Sequence, residues 1–112
     1  MEWGREAEKR ALAWLRSNGF HPKDVAHLNR GWDIEYESMK CEIKGRKTSN
    51  TAIRLSDNEW RAASKHGKNY TVLIFTASSK GALGRVNPVE IVDPIENEIW
   101  RKRVRYEYVL EE

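Results

Sequence analysis

The sequence predicts a mixed α/β (α+β) domain, a central β-sheet with helices packed on it, in the order αβββ(β)αββ(α)β. Three observations carry that reading. The first twenty residues repeat apolar side chains at helical spacing, residues 32–45 alternate apolar and polar with period two, and residues 69–78 are the most apolar run in the chain.

Each element can be justified in order. In "MEWGREAEKRALAWLRSNGF", Trp3, Ala7, Ala11, Trp14 and Leu15 fall on one helical stripe. Gly19 stands where a helix C-terminal glycine belongs, with Phe20 beyond it to pack back. "DVAHLNRG" reads as a short strand closed by an Asn-Arg-Gly turn. Residues 32–37 and 39–45 read as paired strands turning at Glu37-Ser38, and "TAIRLS" as a further short strand. Ser56 and Glu59 form a capping box that opens a helix running to about His66 and ended by Gly67. "NYTVLIFTAS" is the buried central strand, "SKGALGRVNP" a glycine-bearing basic loop, and "VEIVDP" a strand ending at Pro94. Residues 95–102 are expected to form a short helix. Val104, Tyr106, Tyr108 and Leu110 are expected to lie on one closing edge strand.

Composition narrows the function classes. A chain of 112 residues fits one domain, 1–112, that buries about 60–70% of its unfolded surface. Hydrophobic residues at 39% and charged residues at 33% describe a globular chain, not a disordered one. No apolar run approaches the ~20 residues of a membrane span, and no signal-peptide pattern opens the chain, so no membrane partner is expected. The lone cysteine, Cys41, cannot form an internal disulfide and suits a reducing, cytoplasmic setting; on the apolar hairpin face it reads as a core residue. The net charge of +3 leans only weakly toward polyanions. His21, His27 and His66 show no metal-ligand spacing with one another or with Cys41, which argues against zinc. No phosphate-loop or dinucleotide glycine pattern occurs, and Ser56 is a helix cap, not a nucleophile.

The hairpin "GWDIEYESMKCEIKGRK" concentrates the chemistry. A turn at Glu37-Ser38 sets residue 33 opposite 42 and 34 opposite 41. Ile34, Tyr36, Cys41 and Ile43 then share one face, and Asp33, Glu35, Lys40, Glu42 and Lys44 the other. A one-residue slip would bury the charges. Opposed Cβ atoms lie about 4.5–5.5 Å apart, which brings the Asp33 and Glu42 carboxylates within reach of one shared ion. A divalent cation is one way to neutralise them; Lys40 and Lys44 are the other. Lys44 could position, or help deprotonate, a water attacking a phosphodiester. On these residues alone a solvated hairpin face, stabilised by a Glu35–Lys40 cross-strand pair, is the simpler account.

Resemblance shifts that balance. Asp33, eight residues, then Glu42-Ile43-Lys44 resembles the motif of the PD-(D/E)XK nuclease superfamily. "GREAEKRALAWLRSNGF" is similar to the first helix of that superfamily, and "RGWD" to its glycine-aromatic-Asp approach to the hairpin. "IRLSDNEWRAASKHGKNYTVLIF" and the later "VEIVDP" resemble the NO VEIN C-terminal-like branch, so the likeness covers nearly the whole chain. It implies a restriction-endonuclease-like three-layer fold. It also implies Mg²⁺- or Mn²⁺-dependent hydrolysis of DNA in restriction, repair or recombination. By the same resemblance Asp33, Glu42 and the Ile43 backbone carbonyl are metal ligands, Lys44 is the catalytic lysine, and Glu8, which matches better than Glu6, supports the metal through water. The basic or amide-bearing residue of the later helix is Arg61 or Lys65. Trp32 stands where the superfamily's naming proline would be. The alternative is a non-catalytic nucleic-acid-binding or assembly module on the same fold, and a weaker third is a protein-interaction domain. DNA is the expected partner, with a homodimer or larger assembly by analogy, since two strands need two sites.

The remaining basic residues are candidate DNA contacts. Arg46 and Lys47 directly follow the lysine and could hold a phosphate backbone. Lys65, with His66 and Lys68, makes a basic helix end that equally complements the helix dipole. Lys80 and Arg85 sit in the basic loop, and "RKRVR", 101–105, is either a DNA contact or a guard on an edge strand. Trp3, Trp14, Trp60 and Trp100 read as core anchors. Trp32 is set apart because it adjoins Asp33.

Overall fold

The apolar stripe of the first segment folds as helix α1 (Trp3–Ser17), which sets Ala7, Ala11 and Leu15 against the sheet, each fully buried. Burying Leu15 alone contributes about 1.5–3 kcal/mol. Gly19 takes the left-handed φ of 88°, and the Phe20 N–H returns to the Leu15 carbonyl at 3.0 Å, closing the helix as expected. This computed structural model describes residues 3–48, 52–77, 88–97, 100–104 and 107–110.

The hairpin forms in the expected register. Strand β1 (Lys23–Asp24) lies beside β2 (Ile34–Tyr36), which pairs antiparallel with β3 (Met39–Arg46), Ile34 opposite Cys41 and Tyr36 opposite Met39. Glu37 makes the turn at a φ of 54°. Strand β4 (Arg54–Ser56) and helix α2 (Asp57–His66) follow, with Ser56 and Glu59 in a reciprocal capping box. Strand β5 (Tyr70–Thr76) runs parallel to β3 and antiparallel to β6 (Val89–Val92), giving a mixed sheet in the order β1-β2-β3-β5-β6. Helix α3 (Pro94–Asn97) leads to β7 (Trp100–Val104) and β8 (Glu107–Leu110).

Alternation along β3 and β5 builds two cores. On one face Ile34, Cys41, Ile43, Leu73 and Phe75 pack under α1, with Trp14, Phe20 and Tyr36 at the margin. On the other, Tyr70, Val72, Ile74 and Ile91 pack against Ile53, Leu55 and the α2 residues Ala62 and Ala63. Strand β5 is buried on both sides, which is why its sequence is a continuous apolar run. Cys41 is a core residue, its thiol pushed up by burial.

Three expectations need correction. "DVAHLNRG" is a strand only at its first residue, Asp24, where β1 ends: the Asp24 carboxylate accepts the Ala26 N–H at 3.1 Å, competing with the strand ladder, and Ala26–Leu28 coil into a 3-10 turn. The helix expected over 95–102 spans only Pro94–Asn97, with proline at its first position, and the chain re-enters a strand at Trp100. The single edge strand is instead the hairpin β7–β8, which pairs with β4, not the main sheet, in the order β4-β8-β7. Trp60 of α2 stacks on Tyr108 at 4.1 Å and 9°, joining this small sheet to the helix. Tyr106 and the basic loop with Lys80 and Arg85 lie outside the described residues. Among the described residues, no helix is long and apolar enough to cross a membrane.

Candidate active site

Because side chains alternate along β3, Glu42 and Lys44 face away from α1 and lie beneath the start of α2. The charged face is therefore roofed, not solvated: Glu42 is only 4% exposed. Asp33, Glu42 and Glu59 line one pocket of about 310 Å³, together with Gly31, Trp32 and Asn58.

Backbone hydrogen bonds hold Asp33 in place. Its N–H donates to the Cys41 carbonyl at 2.9 Å, and its side-chain Oδ2 accepts the Ile43 N–H at 2.9 Å. The carboxylate thus continues the ladder where β2 stops. The N–H and C=O of one strand residue point to the same side, so the Ile43 carbonyl shares this edge. Behind it, Gly31 adopts a φ of 105°, and a Cβ there would sit 2.8 Å from the Ala62 Cβ and 2.9 Å from the Asn58 carbonyl oxygen. The buried Tyr70 hydroxyl donates to the Gly31 carbonyl at 2.7 Å. "RGWD" is thus clamped between α2 and the central strand.

Lys44 is held by two carboxylates. Its Nζ lies 3.3 Å from Glu42 Oε2 and 2.7 Å from Glu59 Oε1. That same Glu59 oxygen accepts the Ser56 N–H at 2.9 Å, and Ser56 Oγ accepts the Glu59 N–H at 3.1 Å. Glu59 is the site residue that the sequence reading missed. Its capping role was visible in S-x-x-E; that α2 begins directly above Lys44 was not.

Two carboxylates hold the one ammonium and a third, Asp33, lines the same pocket as they do; Glu42, Asp33 and Lys44 are all shifted. Burial pushes the Glu42 carboxyl well above its ordinary value; Glu59 and Asp33 push the same way, while Lys44 opposes them. Burial likewise raises Asp33, against the stabilising Ile43 N–H and with the Glu59 charge. For Lys44, burial lowers the ammonium pKa, but Glu42 and Glu59 outweigh it and leave the value raised. The pocket carries surplus negative charge that a proton or a hard cation would relieve. Among the described residues no three His, Cys, Asp or Glu side chains form a preformed metal cage. A Mg²⁺ site needs less: one or two carboxylates, here Asp33 and Glu42, with water and phosphate oxygens completing the shell. The donor set fits.

The other expected residues are distributed more widely. Glu8, partly buried on α1, is raised by burial and by the charges of Asp33 and Asp24, so it approaches Asp33 without lining the pocket. The Arg46 Nε donates to Thr76 Oγ1 at 2.9 Å, tying the ends of β3 and β5, and Lys47 is exposed just beyond. Lys65 and Arg61 both line a second depression beside the first. Arg85 lies outside the described residues. Glu35 and Lys40 oppose each other across the hairpin as expected, but their side chains bond elsewhere. Glu35 accepts from Trp32 Nε1 at 2.7 Å and from Arg30 at 3.5 Å, while Lys40 donates to the Ser38 carbonyl at 3.3 Å.

Comparison with known proteins bears on the family and the fold. Residues 4–86 match the model of the family described as Protein NO VEIN, C-terminal. Among solved structures, the chain is similar to Hjc, a Holliday junction resolvase from the hyperthermophilic archaeon Archaeoglobus fulgidus. The TM-score is 0.64 at 19% identity, over 99% of this chain and 85% of that one. No curated protein matches. The family match covers most of the chain and the structural match supplies the architecture: this chain belongs to the NO VEIN C-terminal family and has a restriction-endonuclease-like fold.

Proposed function

We propose that this chain is a divalent-metal-dependent nuclease domain that hydrolyses DNA phosphodiester bonds, as in restriction, repair or recombination. The observation that carries the reading is that Asp33 and Glu42 line one roofed pocket together with Glu59, while Lys44 is held against Glu42 and Glu59. Asp33, Glu42 and the Ile43 carbonyl would hold Mg²⁺ or Mn²⁺, and Glu8 would support that set through water. The ion supplies Lewis acidity and charge neutralisation at the phosphodiester. Lys44, whose pKa is raised, keeps its proton on Nζ and so acts as a fixed hydrogen-bond donor that orients the attacking water or a phosphate oxygen. On this reading Arg46 and Lys47, which follow Lys44 along the chain, would hold the phosphate backbone. The resolvase neighbour supports DNA as the polymer. Cutting both strands of a duplex needs two such sites, so a homodimer or larger assembly belongs to the same reading.

The test is incubation of the purified protein with plasmid, single-stranded and four-way-junction DNA in Mg²⁺, Mn²⁺ or EDTA. Metal-dependent cleavage is expected, lost by ~10²–10⁴-fold in Lys44→Ala. Failure to cut any of these, with metal binding unchanged in Asp33→Ala, overturns the reading. One observation favours a second reading, a non-catalytic nucleic-acid-binding or assembly module. Lys44 already neutralises part of the carboxylate charge through its contacts with Glu42 and Glu59. That reading expects salt-dependent DNA affinity indifferent to Glu42→Ala and Lys44→Ala, with no cleavage.

A further inference from the structure

A second depression of about 360 Å³ opens beside the carboxylate pocket, within the range of small-ligand sites. The two share a wall of Asn29, Trp32 and Asn58. Beyond that wall the lining changes sign: it carries Arg30, Arg61 and Lys65, and no carboxylate among the described residues. The cations reach outward, with the Arg30 side chain 51% and the Arg61 side chain 74% exposed. Each arginine has a carboxylate only on its flank, Glu35 for Arg30 and Asp57 for Arg61.

Trp32 stands at the junction, and it is fixed in place. Its Nε1 donates to Glu35 at 2.7 Å, its ring meets the His66 ring edge-on at 5.1 Å and 82°, and Gly31 behind it is clamped to α2 and Tyr70. A fixed indole flanked by guanidinium and ammonium groups matches the chemistry of a nucleotide. The base stacks on the ring and the phosphates pair with the cations. A base inside a duplex is already stacked on both faces and cannot use such a surface.

We propose that this groove is a nucleotide subsite that takes one unpaired nucleotide of a DNA strand, its base on Trp32 and its flanking phosphates between Arg30, Arg61 and Lys65. The inference rests on reading the adjoining pocket as the cleavage site, because Trp32 directly precedes Asp33 and a strand seated here runs on toward the carboxylates. It assigns the substrate class: DNA with unpaired nucleotides, as single strands, ends or splayed junctions, in preference to continuous duplex.

The test is a fluorescence-anisotropy titration in EDTA, with labelled ten-residue oligothymidylate and a duplex of equal length. The single strand is expected to bind more tightly. W32L should weaken its binding by about tenfold, with W32F intermediate. The double variant Arg61→Ala, Lys65→Ala should weaken it further and flatten its salt dependence. Trp32 also packs on the core, so the exposed Arg61–Lys65 pair decides the matter if W32L does not fold. Single-strand binding unchanged by W32L and by the charge pair overturns the subsite, and so does equal affinity for the duplex. Cleavage is measured separately in Mg²⁺. Cleavage with binding indifferent to these variants leaves the nuclease reading standing without the subsite. Binding that depends on them, with no cleavage in any metal, does the reverse.

Discussion

Two depressions lie side by side under and along α2, share the Asn29–Trp32–Asn58 wall, and have opposite chemistry. The acid pocket is built from β3, the approach to β2 and the capping box of α2. Each of its charged groups is tied down: Asp33 by the Ile43 N–H, Lys44 by Glu42 and Glu59, and Glu59 by Ser56. The basic groove is built from a turn and the outer face of a helix, and its arginines are half-exposed or more. Buried charge has to be placed by backbone, because an unpaired ion there is costly; exposed charge needs only to be nearby. On the proposed reading the pocket would serve chemistry at one atom, and the groove would hold a chain whose phosphates recur.

Variants can break this contrast, and the largest effect belongs to the pocket. Glu42→Ala should abolish metal-dependent cleavage, by ~10²–10⁴-fold in rate, while leaving the salt slope of DNA binding intact. Quantified gel cleavage and anisotropy on the same preparation check both halves. An altered salt slope would show that pocket and groove are not separate.

Next comes Glu59. Glu59→Gln can keep the capping box but loses the charge on Lys44, so cleavage should fall ~10–100-fold while Tm stays near that of the parent. Removing a carboxylate that raises the Lys44 pKa lets that pKa fall, so the alkaline limb of the activity profile should move to lower pH. Glu59→Ala should additionally cost about 1 kcal/mol of stability through the lost cap. A pH profile identical to the parent in Glu59→Gln would show that Glu59 serves only the helix.

Gly31→Ala attacks the wall common to both depressions. The left-handed φ and the 2.8 Å approach to Ala62 predict a loss of about 1–3 kcal/mol, read by denaturant melts, with both binding and cleavage impaired. Tyr70→Phe, which removes the buried bond to the Gly31 carbonyl, should cost about 1–3 kcal/mol with a milder effect on activity.

The smallest effect is a pH dependence of stability to which the pocket carboxyls contribute. Asp33 and Glu42 have folded-state pKa values raised above the unfolded ones, so the folded chain binds protons more tightly. Stability in EDTA should therefore fall as pH rises from the ordinary carboxylate range through the raised values. Calorimetric melts should show this slope, Glu42→Gln should flatten it, and Mg²⁺ should raise Tm most at the upper end.

How much was legible beforehand follows from which interactions are local. The hairpin register could be read because a slip of one residue would bury charges opposite Ile43, and α1 because Ala7, Ala11 and Leu15 mark its buried face. Period two identifies the face on which Asp33, Glu42 and Lys44 meet. It does not say what covers that face, so the roof formed by Glu59 and the burial of Glu42 were invisible. The pairing of β8 with β4 is likewise a long-range choice. The cross-strand ion pair expected of Glu35 and Lys40 gave way because Trp32 and Arg30, close in sequence, offered Glu35 better donors.

The central claim is that Asp33 and Glu42 are paired to bind a divalent cation. A crystal grown in Mn²⁺, with anomalous data collected, tests it most directly. The account predicts an anomalous peak between the two carboxylates, absent in Glu42→Ala. Density with no such peak, and Lys44 still bridging Glu42 and Glu59, would contradict it.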